Sequence, residues 1–469
     1  MMAAALGMLL SLLLAACGAA TEVSDTLTPA ITAAQTAPAT APATAGDPPP
    51  TTPSMQDASP SPGPVLTAAP EPVVVKTGAD VLVADGFAAL HGLHVGLIAN
   101  QTSVSGGDFL LDLLHRAPEV ELAVVFAPEH GVRGTAGAGD DVGDTVDPTT
   151  GVPIISLYKP GSDFRPSPAE LSGIDVLVYD LQDVGARFYT YISTMGRSME
   201  AAAHAGIPFV VLDRPNPSGG VAISGFTRTP DQVSFVSEYP IPALYGLTSG
   251  ELAQMIVAEG WKDVDGLDLR VIAMQGWDRG QRWDDTGLPW IPPSPGLPAA
   301  QAALVYPGTV LVEATTLSFG RGTLAPFTQV GAPWVDAEAV AADLAGRGLA
   351  GVRFQATSFV PEVIPDVAEN PAVIPFLGQT VPAVAVLVTD ATAFDSVAVG
   401  IHLLEAFQTH ATAAGRGELI DRAAAFDLLA GTAVLRQMLQ SGVPAAEIVR
   451  SWTADVETFE TQRQPYLIY

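Results

Sequence analysis

The sequence predicts an α/β protein: a doubly wound, mostly parallel sheet followed by a smaller second α/β unit. Three observations carry this. Short, continuous, β-branched apolar runs recur at 95–99, 122–126, 176–179 and 209–212, and such runs read as strands buried on both faces of a parallel sheet. Helical segments alternate with them, as βαβ units require. Polar clusters follow the runs, where open α/β sheets bind their ligands, beyond the carboxyl ends of the strands.

At 469 residues the chain is long enough for two or three domains of roughly 150 residues each. Hydrophobic residues make up 48% and charged residues 15%, ample for a core. The formal charge is −29, from 21 Lys and Arg against 50 Asp and Glu. That excess argues against nucleic acid as a partner, because phosphate binding needs basic surface. A small anionic ligand needs only a local arginine.

Residues 1–17 read as a leader. The apolar run at 3–16 is too short to span a bilayer comfortably, and Leu14-Ala15-Ala16 precedes Cys17, the chain's single cysteine. This is the pattern of a bacterial lipoprotein signal, with Cys17 as the lipidated new terminus. It predicts an extracytoplasmic, membrane-anchored protein, or a secreted one if Cys17 is not lipidated. Residues 18–76, dominated by Thr, Ala, Pro and Ser, read as a disordered tether that would hold a catalytic domain within reach of a wall.

The folded part is expected at 77–305 and 306–469. Strand 95–99 ends at Asn100-Gln101-Thr102, and a helix at 108–116 leads to strand 122–126. That strand stops at Pro128 and delivers Glu129 and His130 into a glycine-rich stretch containing Arg133. A short strand at 152–155 follows. Strand 176–179 delivers Asp180 and Asp183, then Arg187 with Phe188, Tyr189 and Tyr191. If the Glu129 and Asp180 strands are neighbours, their carboxylates share one rim. Carboxylates facing each other across a cleft are the equipment of glycoside hydrolysis, and aromatics suit the apolar faces of a sugar. A helix from about Ser193 is stopped by Gly206. Strand 209–212 delivers a third cluster, Asp213-Arg214-Pro215-Asn216-Pro217. Thr248-Ser249-Gly250-Glu251 is a capping box and therefore structural, with Gly260 ending its helix. The stretch 277–306 reads as loop, and its Trp277, Trp283 and Trp290 suit either a sugar platform or packing over the sheet.

Beyond it, Glu313 and the glycine-flanked Arg321 are further site candidates. Helix 337–345, strands 352–354 and 384–389 and helix 397–410 form the second unit. Without dense polar clusters, it reads as a support that walls one side of the cleft.

Other chemistries fit less well. Ser156-Leu157-Tyr158-Lys159 and Lys76-Thr77-Gly78 match S-x-x-K and K-T-G of serine enzymes, but in the wrong order, without S-D-N. Seven histidines include no H-E-x-x-H, so no metal site is expected. G-x-G-x-x-G is absent, so the sheet gives no warrant for a dinucleotide, and no cofactor is predicted.

Four runs together resemble one known family: 127–134 (APEHGVRG), 180–191 (DLQDVGARFYTY), 212–217 (LDRPNP) and 320–323 (GRGT). They are similar to the exo-β-N-acetylmuramidases of the NamZ type, a glycoside hydrolase family long described as a domain of unknown function, from about Val95 to Tyr469. The resemblance implies a Rossmann-like N-terminal domain, a smaller C-terminal domain, and a cleft between them that removes N-acetylmuramic acid from non-reducing ends of peptidoglycan fragments. It makes Glu129 the leading general acid/base, with Asp183 and Asp180 as possible second carboxylates. Our charge argument adds Arg187 and Arg321 as partners for the lactyl carboxylate of muramic acid. His130, Arg133, Tyr189, Tyr191, Asp213, Arg214, Asn216 and Glu313 complete the substrate-binding candidates. The chain departs from the family pattern at Gly296, Ala314 and Phe319. The rival expectation is a two-lobed lipoprotein receptor for sugars or muropeptides, which would need no acid at Glu129.

Overall fold

The computed structural model describes residues 74–129, 131–132, 143–159, 162–365 and 371–469. The leader, Cys17, nearly all of the tether, His130 and Arg133 lie outside these described residues. The described residues just before 77 pack onto the rest: Val75 is buried beside Met274 and Trp277, and Lys76 pairs with Gln275.

Helix α1 (Gly78–Ala84) starts at Thr77, whose side chain accepts from the Asp80 amide while Asp80 accepts from the Thr77 amide. This reciprocal cap gives the K-T-G match a structural role. Strand β1 (His94–Ala99) is followed by a small hairpin, β2 (Val104–Ser105) with β3 (Asp108–Phe109), and helix α2 (Leu110–Arg116). The helix expected from 108 therefore starts two residues later, because 108–109 pair with 104–105. Next come β4 (Glu121–Ala127), β5 (Thr145–Val146), β6 (Pro153–Ser156), β7 (Val176–Asp180) and helix α3 (Tyr191–Ala205). Gly206 closes α3 at φ 69°, a left-handed stop that glycine adopts without strain. Strand β8 (Phe209–Leu212), helix α4 (Ser249–Ala258) with its Thr248–Glu251 capping box, and strand β9 (Leu269–Ile272) complete the first lobe.

These strands form one sheet in the order β5-β6-β4-β1-β7-β8-β9. All neighbours are parallel except β5 on β6 at the edge. The central strands are buried on both faces, β7 along its whole length, which explains their continuous apolar runs. One expectation is corrected: β1 lies between β4 and β7, so the strands carrying Glu129 and Asp180 are not neighbours. The rim is still shared, because β4, β1 and β7 point the same way.

Helix α5 (Ala300–Thr309) occupies part of the stretch read as loop; its interior Pro307 disguises it. The second lobe holds β10 (Gln329–Gly331), α6 (Ala337–Gly346), β11 (Val352–Phe359), β12 (Val381–Val388) and α7 (Ser396–Ala413). Its three strands are antiparallel, in the order β10-β12-β11. Helices α8 (Ala423–Ala430), α9 (Val434–Gln440), α10 (Ala445–Ser451) and α11 (Thr453–Arg463) finish the chain. Helix α5 crosses α7 backbone to backbone. A Cβ on Gly308 would fall 1.8 Å from the Ser396 carbonyl oxygen, so only glycine permits the crossing.

Buried charge locks the rim from below. Arg214 donates Nε to Asp180 Oδ1 at 2.5 Å and Nη2 to Oδ2 at 2.8 Å, with the two side chains 5% and 0% exposed. Asp213 accepts from Thr248 Oγ1 at 2.7 Å, the Gly250 amide at 2.8 Å and Tyr469 Oη at 2.8 Å. It thus ties the start of α4 and the chain's last residue to the end of β8, and a carboxylate there favours the helix N-terminus. Asp180→Ala would strand the Arg214 guanidinium, and removing one partner of a buried pair costs about 3–5 kcal/mol. The expected outcome is a lower urea midpoint, partly restored in Asp180→Ala/Arg214→Met, where neither charge remains.

Candidate active site

Glu129 sits in the turn after β4, half-buried, where Thr190 donates its hydroxyl to Oε2 at 3.1 Å. Thr190 directly precedes α3, so the end of β4 and the start of α3 fix the carboxylate together. Tyr158, Tyr189, Tyr191 and Tyr306 surround it. All four phenols are pushed up, by burial first, with the negative charge of Glu129 contributing at each. Three buried tyrosines and the partly buried Tyr158, all under the influence of one carboxylate, describe an aromatic-walled acidic site.

Asp183 enters the same site from the end of β7. Its Oδ2 accepts from the Gly185 amide at 2.7 Å and from the Tyr245 hydroxyl. Its Oδ1 is buried and has no hydrogen-bond partner among the described residues, and the Tyr189 hydroxyl is in the same condition. Burial raises the Asp183 carboxyl to about 6, while the bonds from Tyr245 and from the Gly185 and Val184 amides pull downward. Both Tyr189 and Tyr306 feel its charge. Glu313, half-buried in the short turn after α5, is the strongest charge acting on Tyr306. Glu129, Asp183 and Glu313 therefore converge on one tyrosine cluster, and orphaned buried polar atoms at such a place are what an absent ligand or water leaves behind.

A proline-rich loop is pinned across this cluster. Tyr191 donates its hydroxyl to the Pro293 carbonyl at 2.6 Å and accepts from Asn100 Nδ2 at 2.8 Å. Gln101 Nε2 holds the Pro292 carbonyl at 2.8 Å. Tyr191 thus acts through the loop it holds.

Several residues expected to bind substrate are committed elsewhere. Arg187 is fully buried and donates to the carbonyls of Phe226, Ile241 and Leu429 at 2.7, 2.8 and 3.0 Å. Burial, then Arg228, depresses it to about 9; it staples three segments and faces no ligand. Asp180 is not a second catalytic carboxylate, because Arg214 occupies both its oxygens and is itself consumed in doing so. Asp213 is spent on α4 and Tyr469. Asn216 donates to the Leu247 carbonyl at 3.0 Å and accepts from the Ser218 amide at 2.9 Å. Its amide also packs on Gly185, where a Cβ would lie 2.3 Å from Oδ1. The tryptophans resolve toward packing: Trp277 and Trp283 are buried, Trp277 against Tyr469 and Trp283 against Trp290. The S-x-x-K match dissolves too, since Lys159 pairs with Asp144 and Glu170 at 3.1 and 3.0 Å.

Sequence reasoning missed Tyr158, Tyr245 and Tyr306. Tyr158 follows β6 directly, a strand-end position that could have drawn notice; Tyr245 and Tyr306 carry no local signal. Arg321 lies with its guanidinium 5.4 Å from the centre of the Phe319 ring. Together they line a hollow with Pro295, Gly296 and Phe327.

The family models described as exo-β-N-acetylmuramidase NamZ, N-terminal and C-terminal, match residues 95–301 and 304–469. The peptidoglycan β-N-acetylmuramidase NamZ of Bacillus subtilis is 40% identical over 396 residues, which span 84% of this chain and 91% of that protein. A crystal structure of a DUF1343 family protein from Bacteroides fragilis superposes with a TM-score of 0.75 at 37% identity, over 85% of this chain and 99% of its own. A second from the same organism gives 0.66 at 32%, over 84% and 99%. On matches that run through both lobes, this chain belongs to the exo-β-N-acetylmuramidase NamZ family.

Proposed function

We propose that the protein is an exo-acting glycoside hydrolase that releases N-acetylmuramic acid from the non-reducing ends of peptidoglycan fragments. The observation that carries this reading is Glu129, held at a strand end by Thr190 and acting on four tyrosines, Tyr158, Tyr189, Tyr191 and Tyr306. In this reading Glu129 protonates the departing glycosidic oxygen, as general acid catalysis of this bond requires. The tyrosine rings offer apolar faces to the sugar and exclude water. Asp183 is the second carboxylate of the proposal, acting at the anomeric centre, on a water or on the substrate's acetamido group; its Oδ1 has no hydrogen-bond partner among the described residues. Glu313, beside Tyr306, would accept from sugar hydroxyls.

The direct test is release of N-acetylmuramic acid from a MurNAc-GlcNAc disaccharide. Wild type should release it. Glu129→Gln should lose about 100-fold or more, the scale of a general acid's contribution, with no shift in melting temperature. Turnover by Glu129→Gln at the wild-type rate would sink the assignment.

A pH series tests Asp183. With its carboxyl at about 6, the ionised form that assists at the anomeric carbon is lost as pH falls through that value, giving an acidic limb near pH 6. Tyr245→Phe removes a bond that favours the ionised form, so the limb should move to higher pH. A limb that stays in place would assign it to another group. The same shift bears on stability. A carboxyl raised on folding contributes fully below the unfolded value of about 4, and that contribution fades as pH rises through about 6.

The proposal places this activity outside the cytoplasm. Leu14-Ala15-Ala16-Cys17 and the Thr/Ala/Pro-rich stretch after it support a lipid anchor and tether. Cys17→Ala should move the full-length protein from the membrane fraction to the soluble or secreted fraction; unchanged fractionation would argue against lipidation.

A further inference from the structure

We infer that Phe164, backed by Phe235 and set against Tyr158, is the platform for the sugar that leaves, the N-acetylglucosamine ring beyond the scissile bond. The inference rests on the glycosidase reading above and concerns the half of the substrate which that reading leaves unplaced. Direction comes from the sheet. Along the rim the strands run β6-β4-β1-β7, with Tyr158 just after β6, Glu129 after β4 and Asp183 after β7. Glu129 therefore stands between the other two. A general acid protonates the oxygen that departs, while the second carboxylate acts at the anomeric carbon. With Asp183 on the β7 side, the N-acetylmuramic acid ring lies toward β7 and the leaving ring toward β6.

Tyr158 joins that side to the acid. Its hydroxyl bonds Thr194 Oγ1 at 2.9 Å, one turn of α3 beyond Thr190, which holds Glu129. The charge of Glu129 also reaches the phenol. Beyond Tyr158 the surroundings are aromatic. Phe164 stacks on Phe235 with ring centres 4.1 Å apart and planes 20° from parallel. Tyr158 meets the two edge-on at 5.1 and 5.6 Å. Phe235 is buried and Phe164 is half-exposed, so Phe235 is the backing and Phe164 the ring that meets a ligand. Phe164 holds φ at 53°, an outlier for a bulky residue, and strained backbone of this kind clusters at ligand clamps.

The neighbouring charges select a neutral ligand. Arg197, whose guanidinium lies 4.9 Å from the centre of the Phe235 ring, pairs with Glu238 at 3.0 Å. Arg165, next but one... to Asp163 in the same turn, pairs with Glu200 at 2.6 Å. Both arginines also reach Asp163, at 3.5 and 3.1 Å. Two cations answered by three carboxylates disfavour an anionic group such as a peptide stem. An N-acetylglucosamine ring carries no charge and can lay its apolar face on an aromatic one.

The test is calorimetry with a sulfur-linked MurNAc-GlcNAc disaccharide, which is not cleaved, and with N-acetylmuramic acid alone. Phe164→Ala should weaken the disaccharide about 10-fold, the scale of one apolar ring face lost, and leave N-acetylmuramic acid within about twofold. Phe164→Gly adopts the left-handed φ without strain, which guards against misfolding, and should show the same selective loss. Phe164→Tyr keeps the ring and should bind as wild type does. Equal weakening of both sugars, or disaccharide binding unchanged in Phe164→Ala and Phe164→Gly, would overturn the platform. Sugar release by wild type scores the hydrolase reading separately. Release together with unchanged disaccharide binding in Phe164→Ala refutes the platform alone. No release together with the selective loss refutes the hydrolase reading and leaves a second-sugar subsite at Phe164.

Discussion

A charge taken out of water must be answered by an opposite charge or by several hydrogen bonds, and at the carboxyl rim of this sheet that requirement decides almost everything. Asp180 is answered by Arg214, Asp213 by two hydroxyls and two amides, and Arg187 by three carbonyls. Each answer joins segments distant in sequence: the end of β7 to the end of β8, β8 to α4 and the terminal tyrosine, the 187 turn to α8. The rim is rigid because its charges are satisfied by structure. The Oδ1 of Asp183 differs from these in having no hydrogen-bond partner among the described residues.

That division explains what the sequence could tell and what it could not. The central strands and their order of appearance were legible, because burial on both faces forces continuous apolar runs. The caps at Thr248 and Gly206 were legible from local backbone rules. Strand β9 was not, since a half-exposed edge strand containing Arg270 lacks that run. Helix α5 was not, since Pro307 interrupts its pattern. The polar clusters do lie at strand ends, and the charges of Glu129 and Asp183 act on the same two tyrosines, Tyr189 and Tyr306. Their roles could not be sorted, because a charge that braces the rim and a charge that works at it sit in the same kind of position. Only the three-dimensional partners separate Asp180 from Asp183, three residues apart on the same turn. Tyr306 lies far along the chain from Glu129, and its place in the site depends on how the lobes pack, which no local pattern encodes.

The departures from the family pattern gain a physical meaning from their surroundings. Ala314 is buried beneath the turn that carries Glu313. Phe319 is also buried, stacked on Phe327 and under Arg321. Gly296 faces the same ring pair. Two of the three, Gly296 and Phe319, therefore lie together on one hollow with Phe327 and Arg321.

The electrostatics of the site also separates a hydrolase from a receptor. Carboxylates around the ring accept from sugar hydroxyls, but each one also repels an anionic ligand and costs desolvation when buried. Here Asp183 is buried and raised to about 6, and Glu129 and Glu313 act on the same tyrosine. Such an arrangement lowers ground-state affinity for muramic acid, yet favours a transition state in which positive charge develops at the anomeric carbon. Interactions that are stronger in the transition state than in the ground state are the ones that accelerate chemistry. The acidic cluster is unfavourable for a binding protein and useful for a glycosidase, and that asymmetry argues for catalysis from the charges alone.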